Sequence, residues 1–360
     1  MVTTGAKVRV GFIGAGNWAE SNHMPILKSR PDVELVGIAT PTLKSRERVQ
    51  ARFGIPFATP DYHQLLTQPL DAVVISSPHG LHYEQAKASL EAGKHVLVEK
   101  PMTLRANEAW ELVDLAKQKG LFLLVPTGWH YNRMVTTAKE KMDQGAVGNV
   151  EYMVCHMGSA LRCLYTSTTW PFPMENIPDP KTYYSDPNIS GGGQGYSQLS
   201  HSVAMLLWLT GLRGKEVFAY MSAPGAPVEM YDAVVAKFDN GAIGTISGAG
   251  TQPPSKPKHE MDIRIYGDKG ELSLDLYHEH LELVRVDGAD FKLDVQPGDG
   301  DYACDGPLHH FIDLIQDKMT ENFTPGEIGA RTIEIIEAAY RSAVSGKPEA
   351  VADHTKGTRR

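Results

Sequence analysis

The sequence predicts an α/β protein of two domains. The first is a doubly wound parallel sheet; the second is an α/β domain on a mostly antiparallel, open-faced sheet. Three observations predict it. The 360 residues exceed one ordinary domain. Residues 1–125 alternate short β-branched runs with helical patterns, the signature of βαβ units with right-handed crossovers. After residue 125, strand-like runs follow one another through tight turns. The expected boundaries are 1–125, 126–347 and a polar tail at 348–360.

In the first domain, the runs at 7–13 (KVRVGFI), 33–39 (VELVGIA), 71–75 (DAVVI), 95–98 (HVLV) and 121–125 (LFLLV) read as strands. Residues 82–91 form a helix stopped at Ala92-Gly93, and 105–118 another stopped at Gly120. In the second domain, 150–158, 216–221, 230–238, 242–249, 260–266 and 271–276 read as strands. Asp239-Asn240-Gly241 and the 267–270 segment (GDKG) are hairpin signals. Residues 160–190 are a proline-rich loop, 308–318 and 326–345 are helical, and the tail after Lys347 should fray.

Composition removes several function classes. The chain is 42% hydrophobic and 22% charged, which fits a folded protein rather than a disordered one. Its 35 basic and 43 acidic residues give a net charge of −8, unsuited to nucleic acid or an anionic membrane surface. The apolar runs are too short to span a bilayer, and the N-terminus lacks a signal-peptide pattern. Cys155, Cys163 and Cys304 form no CxxC pair and fit reduced cytosolic thiols, so a cytoplasmic location is expected. No His, Cys and carboxylate cluster has ligand spacing, so no metal is expected.

The first strand runs into Gly14-Ala15-Gly16-Asn17-Trp18-Ala19, a G-x-G-x-x-A turn opening a helix. The first Gly allows the tight turn, the second lets a pyrophosphate approach, and the small third residue lets helix and strand pack closely. This context points to a Rossmann dinucleotide-binding domain for NAD or NADP. Gly14, Gly16, Asn17 and Trp18 are therefore candidate cofactor contacts. The second strand ends in Thr40-Pro41-Thr42, where an acid would favour NAD. With Lys44 and Arg46 close behind, a 2′-phosphate is permitted; equally, these two cations form a solvated helix face. Thr40 and Lys44 join the candidates, and the choice between the cofactors stays open.

Ligands of an open parallel sheet lie beyond the C-terminal strand ends. Two further segments end there: Ser76-Ser77-Pro78-His79-Gly80-Leu81-His82 and Glu99-Lys100-Pro101. They add Ser76, Pro78, His79, His82, Glu99 and Lys100 to the cofactor candidates. The order and spacing of GFIGAGNWA, SSPHGLHYEQA and GKHVLVEKPMT resemble the Gfo/Idh/MocA oxidoreductase family, which includes glucose–fructose oxidoreductase and inositol dehydrogenase. VGNVEYMV and a glycine triplet with a downstream His extend the likeness into the second half. The resemblance implies that Lys100 lies near the nicotinamide and the reacting hydroxyl of a carbohydrate. A desolvated lysine can exchange a proton near neutral pH. It also implies a homo-oligomer, dimer or tetramer, through the open sheet face.

The family commonly carries an Asp four positions after the glycine triplet and a His four further on. Here Gly191-Gly192-Gly193 is followed by Ser197 and His201. On one helix those two should share a face. His201 suits general acid–base work, but lacks the usual acid. A stretch that commonly holds Trp-Arg is Thr182-Tyr183-Tyr184. The candidate substrate pocket is Lys100, Trp129, His130, Tyr131, Arg162, Trp170, Tyr183, Ser197 and His201: aromatic faces for sugar C–H surfaces, polar tips for hydroxyls.

Three activities are consistent with these motifs. The first is an NAD(P)-dependent oxidoreductase moving hydride between nicotinamide and a carbinol carbon of a sugar, polyol or glycoside, with Lys100 and His201 as the catalytic residues. The second is a redox-neutral, NAD-dependent glycosidase that oxidises, eliminates, adds water and reduces again. The third is a non-catalytic cofactor-sensing protein, suggested by the missing acid at position 197.

Overall fold

A computed structural model describes residues 7–168, 183–253, 255–256 and 258–354. Among these residues the chain divides into two compact units: 7–128 with 303–330, and 129–168 with 183–302 and 331–354.

The first unit holds β1 (Val8–Ile13), β2 (Val33–Ala39), β3 (Phe57–Thr59), β4 (Ala72–Ile75), β5 (His95–Val98) and β6 (Leu123–Leu124), in the order β3-β2-β1-β4-β5-β6. Every pairing is parallel. This is the doubly wound Rossmann arrangement, with its switch point between β1 and β4. The strands are apolar on both faces because both are covered. Val8, Val10, Phe12 and Val74 pack beneath the helices at Met24–Ser29 and Leu43–Phe53. Val73, Ile75, Val96 and Val98 pack beneath those at His82–Glu91 and Ala106–Lys119.

One element here was not foreseen, and one expectation is corrected. The three-residue edge strand β3 is too short to read from sequence. The helix Asp305–Ile315, assigned to the second domain, belongs to the first unit, because Leu308, Phe311 and Ile312 are buried against the Val8–Val10–Phe12 cluster.

The second unit holds β7 (Val150–Gly158), β8 (Gly214–Ser222), β9 (Tyr231–Phe238), β10 (Ile243–Ala249), β11 (Glu260–Gly267), β12 (Gly270–Asp275), β13 (His280–Arg285), β14 (Phe291–Lys292) and β15 (Glu349–Ala350). Their order is β14-β13-β12-β11-β7-β10-β9-β8-β15. Only β7 and β10 pair in parallel, so the sheet is mixed and mostly antiparallel as expected. One face packs on the helices Arg133–Asp143 and Ser200–Thr210. The other exposes Tyr220, Val235 and Ile243. The tail does not fray at once: β15 pairs with β8, and Val351 is buried against the sheet, so the boundary at 348 does not hold. Among the described residues no helix is long and apolar enough to cross a membrane.

Candidate functional site

The glycine-rich turn leaves β1 at the switch point. Gly14 has φ +96°, and a Cβ there would lie 2.6 Å from the Ser76 carbonyl oxygen. Only glycine allows both the conformation and this approach of the turn to the end of β4. A Cβ at Gly16 would lie 4.0 Å from that same oxygen, so the space over it is open. The helix that follows contains a π-helical turn, Ala19–His23, before Met24–Ser29. Its Glu20 is buried and takes both Nε (2.9 Å) and Nη2 of Arg48, which ties the fingerprint helix to the helix carrying Lys44. A left-handed glycine, an uncovered Gly16 and a helix N-terminus fit a dinucleotide pyrophosphate.

The two neighbouring loops are held by His82. It is fully buried, with Nδ1 2.8 Å from the Pro101 carbonyl oxygen and Nε2 2.9 Å from that of Ser77. Burial pushes its pKa down. Placed between these two carbonyls, His82, a candidate cofactor contact, braces the loops after β4 and β5. His79 is also buried, its ring centroid 5.8 Å from that of His82.

Glu99, expected as a cofactor contact, is buried too. Its Oε1 lies 2.7 Å from His23 Nε2, and its Oε2 accepts the backbone N–H of Lys100 at 3.1 Å. Burial favours its neutral form, but His23 and Lys100 overcome that and hold its pKa below the usual carboxylate value. Lys100 follows, half-buried, before a cis peptide to Pro101. Burial lowers the lysine pKa, and Glu99 opposes the shift.

At the end of β2, Thr40 is buried, and its carbonyl accepts from Arg46 Nη1 at 2.7 Å. The same Nη1 reaches the Pro41 carbonyl at 2.8 Å, so this cation caps a strand end. Lys44 is exposed, as are Pro78 and Trp18; Asn17 and Ser76 are partly so.

In the second unit, Trp129 and His201 meet edge to face, with ring centroids 5.1 Å apart, and Tyr302 joins both at 4.7 and 5.6 Å. His130 does not line this cluster: it is wholly buried beside Trp208. Tyr131 and Tyr183 are partly exposed, Arg162 is exposed, and Trp170 lies outside the described residues.

Ser197 departs furthest from its expected role. It sits in a second π-helical turn, Gly195–Leu199, whose wider i→i+5 register breaks the helix repeat before His201. The two side chains have different neighbours: Ser197 meets Tyr165, and His201 meets Trp129 and Tyr302. Ser197 is buried, its Oγ 2.5 Å from the Tyr165 hydroxyl. Tyr165 and Ser159 both donate to Gln194 Oε1, at 3.1 and 2.8 Å. Ser197 thus has a place in a buried polar network.

The glycine triplet has a structural cause. Glu229 accepts the backbone N–H groups of Gly193 and Gly195, both at 2.9 Å on Oε1, and the Tyr340 hydroxyl. A Cβ at Gly192 would lie 2.0 Å from the Tyr340 hydroxyl oxygen, and one at Gly193 1.9 Å from the Glu229 carbonyl oxygen. Nearby, Asp232 is 3% exposed, and among the described residues neither carboxyl oxygen has a hydrogen-bond partner. Burial, and then the Glu229 charge, raises its pKa well above the usual value. His23, Glu229, Tyr340 and Asp232 were all missed by sequence reasoning. Only Asp232 left a signal: it sits at an inward position of the alternating YDAVVAKF strand.

Comparison with known proteins completes the assignment. Residues 8–127 match the oxidoreductase family with NAD-binding Rossmann fold, and residues 135–273 match the GFO/IDH/MocA C-terminal domain. The chain belongs to the Gfo/Idh/MocA oxidoreductase family. An uncharacterized oxidoreductase of Escherichia coli is 34% identical over 42% of this chain, and the alignment spans 43% of that relative's length. The scyllo-inositol 2-dehydrogenase (NAD(+)) of Bacillus subtilis is 25% identical over 95% of this chain and 96% of its own. Levoglucosan dehydrogenase in complex with NADH and L-sorbose superposes with TM-score 0.79 at 20% identity, covering 97% of this chain and 100% of that one, a likeness of fold.

Proposed function

We propose that this family member transfers hydride between a nicotinamide cofactor and a hydroxyl-bearing carbon of a sugar or polyol. The observation that carries the reading is Lys100: a half-buried lysine at the carboxyl end of β5, two strands along the sheet from β1 and its dinucleotide turn, with its pKa lowered by burial. The nicotinamide, when bound, supplies the hydride acceptor or donor. Lys100 then hydrogen-bonds the reacting hydroxyl and takes or returns its proton. Gly14, Gly16, Asn17 and Trp18 would hold the dinucleotide, with Ser76 and Pro78 flanking it. His201 is the acid–base candidate of the second unit, its ring set by Trp129 and Tyr302 rather than by an acid at position 197. Dehydrogenases of inositol and of an anhydrosugar among the relatives support a polyhydroxylated substrate.

A test is to load the protein with NAD or NADP and follow the reduced-cofactor absorbance against a panel of sugars, polyols and aryl glycosides. Net reduction supports the reading; no reduction with any of them overturns it. The departure at Ser197 favours one second reading, redox-neutral glycoside cleavage. Release of aglycone without net reduction, from protein that already holds cofactor, would establish that one instead.

A further inference from the structure

His23 is the last residue of the π-helical turn Ala19–His23, where a widened turn adds one residue to the helix behind the glycine-rich loop. The insertion delivers an imidazole to the interior. The residue is 2% exposed, and its Nε2 is 2.7 Å from Glu99 Oε1, while its Nδ1 has no hydrogen-bond partner among the described residues. The ring is therefore oriented by Glu99. A buried polar atom left without a partner costs about 1–3 kcal/mol, so the arrangement is not what stability alone would select. The other oxygen of Glu99 accepts the Lys100 backbone N–H. One carboxylate thus joins the helix behind the dinucleotide turn to the lysine assigned to the reaction.

We propose that His23 is a positioning residue: it holds the Glu99 carboxylate, and Glu99 in turn fixes the backbone and the charge environment of Lys100. This rests on the reading of Lys100 given above. The titratable groups that sense Glu99 are His23, Lys100, His82 and Cys304. Of these, His23 is the one that donates to a carboxylate oxygen through its side chain. Without that donor, burial favours neutral Glu99, and a neutral Glu99 no longer stabilises the Lys100 ammonium.

The test follows the Lys100 side chain directly, by NMR titration of isotope-labelled lysines in the full chain. Its signal is identified by its loss in Lys100→Met. In His23→Leu, Lys100 should titrate about one pH unit or more lower than in the native chain. His23→Gln, which keeps a donor, should restore most of the native titration. Glu99→Gln should reproduce the downward shift, and His23→Leu should add nothing in that background. Should His23→Leu fail to fold, the Glu99→Gln and His23→Gln pair still decides the matter. An unchanged Lys100 titration in Glu99→Gln, or in a folded His23→Leu of reduced stability, overturns the proposal and leaves His23 a packing residue. Because no turnover is read, failure of the oxidoreductase reading would appear separately, as a native chain that reduces no cofactor.

Discussion

The Tyr340 hydroxyl donates to Oε1 of Glu229 at 2.5 Å, against the backbone of the glycine triplet. That carboxylate also gathers the N–H groups of Gly193 and Gly195, so one buried acid fixes the start of the helix that carries His201. A methyl group at position 192 would displace the tyrosine, and one at 193 would meet backbone that cannot give way. Gly192→Ala should cost ~2–4 kcal/mol, from overpacking and loss of the hydroxyl donor, and Gly193→Ala more. Tyr340→Phe should cost ~1–3 kcal/mol by leaving Glu229 short of a donor. Urea unfolding of the three variants checks this; near-native stability of Gly193→Ala would remove the structural account of the triplet.

Lys100→Met should lower turnover at least ~100-fold, the usual scale for losing acid–base help at a reacting hydroxyl. Cofactor affinity should change far less, because the glycine-rich turn holds the dinucleotide without the lysine side chain. Steady-state kinetics with separate measurement of NAD(P) binding distinguishes the two effects. Unchanged turnover would end the assignment of Lys100 to the chemistry.

The parts of this site that were legible in the sequence are those whose logic is local. Gly14 and Gly16 are announced by the strand before them and the helix after them, and Lys100 by the strand that ends at it. The relationships that were not legible join residues far apart in the chain: His23 to Glu99 across 76 positions, Tyr340 to Glu229 across 111. The two π-helical turns compound this. Each adds a residue to its helix, and no local pattern in the sequence announces a π-helical turn. The small edge strands β3, β14 and β15 escape for another reason: two or three residues carry no periodicity.

Asp232 should make stability fall as pH rises. Its folded-state pKa is raised, so its contribution is fully present below the ordinary carboxyl pKa, about 4, and is lost as pH climbs toward the raised value. Asp232→Asn keeps the shape and removes the titration. The variant should match the native chain near pH 4 and exceed it at pH 8, as read from thermal unfolding across that range. A native-minus-variant difference that does not change with pH would show that Asp232 is not titrating in the folded chain.

Arg46 caps the Thr40 and Pro41 carbonyls, leaving Lys44 as the exposed cation beside the end of β2. One exposed lysine contributes little to a phosphate contact, ~1 kcal/mol or less, so native discrimination between NAD and NADP should stay within about tenfold. Lys44→Glu should lower kcat/KM for NADP about tenfold or more, through like-charge repulsion, and change that for NAD less than about threefold. Equal effects on the two cofactors would place Lys44 away from the 2′ position.

The uncovered face of the second sheet carries the last prediction. Phe218 pairs with Val235 across β8 and β9, Ile243 with Tyr152 across β10 and β7, and Tyr152 with Tyr266 across β7 and β11. These side chains, with Tyr220, stand on the side away from the helices, where Val235 is 52% and Tyr220 70% exposed. Lys237 and Thr245 stand opposite Ile243 and Val235 on this face; exposed apolar side chains grouped on an open sheet face mark an association surface, and in this family the open sheet is expected to be that surface. The native chain should sediment as a dimer or tetramer. A Val235→Glu, Ile243→Lys double variant should sediment as a monomer and keep its unfolding transition, because neither position belongs to the covered core. A monomeric native chain, or an oligomer indifferent to both substitutions, would place the contact elsewhere.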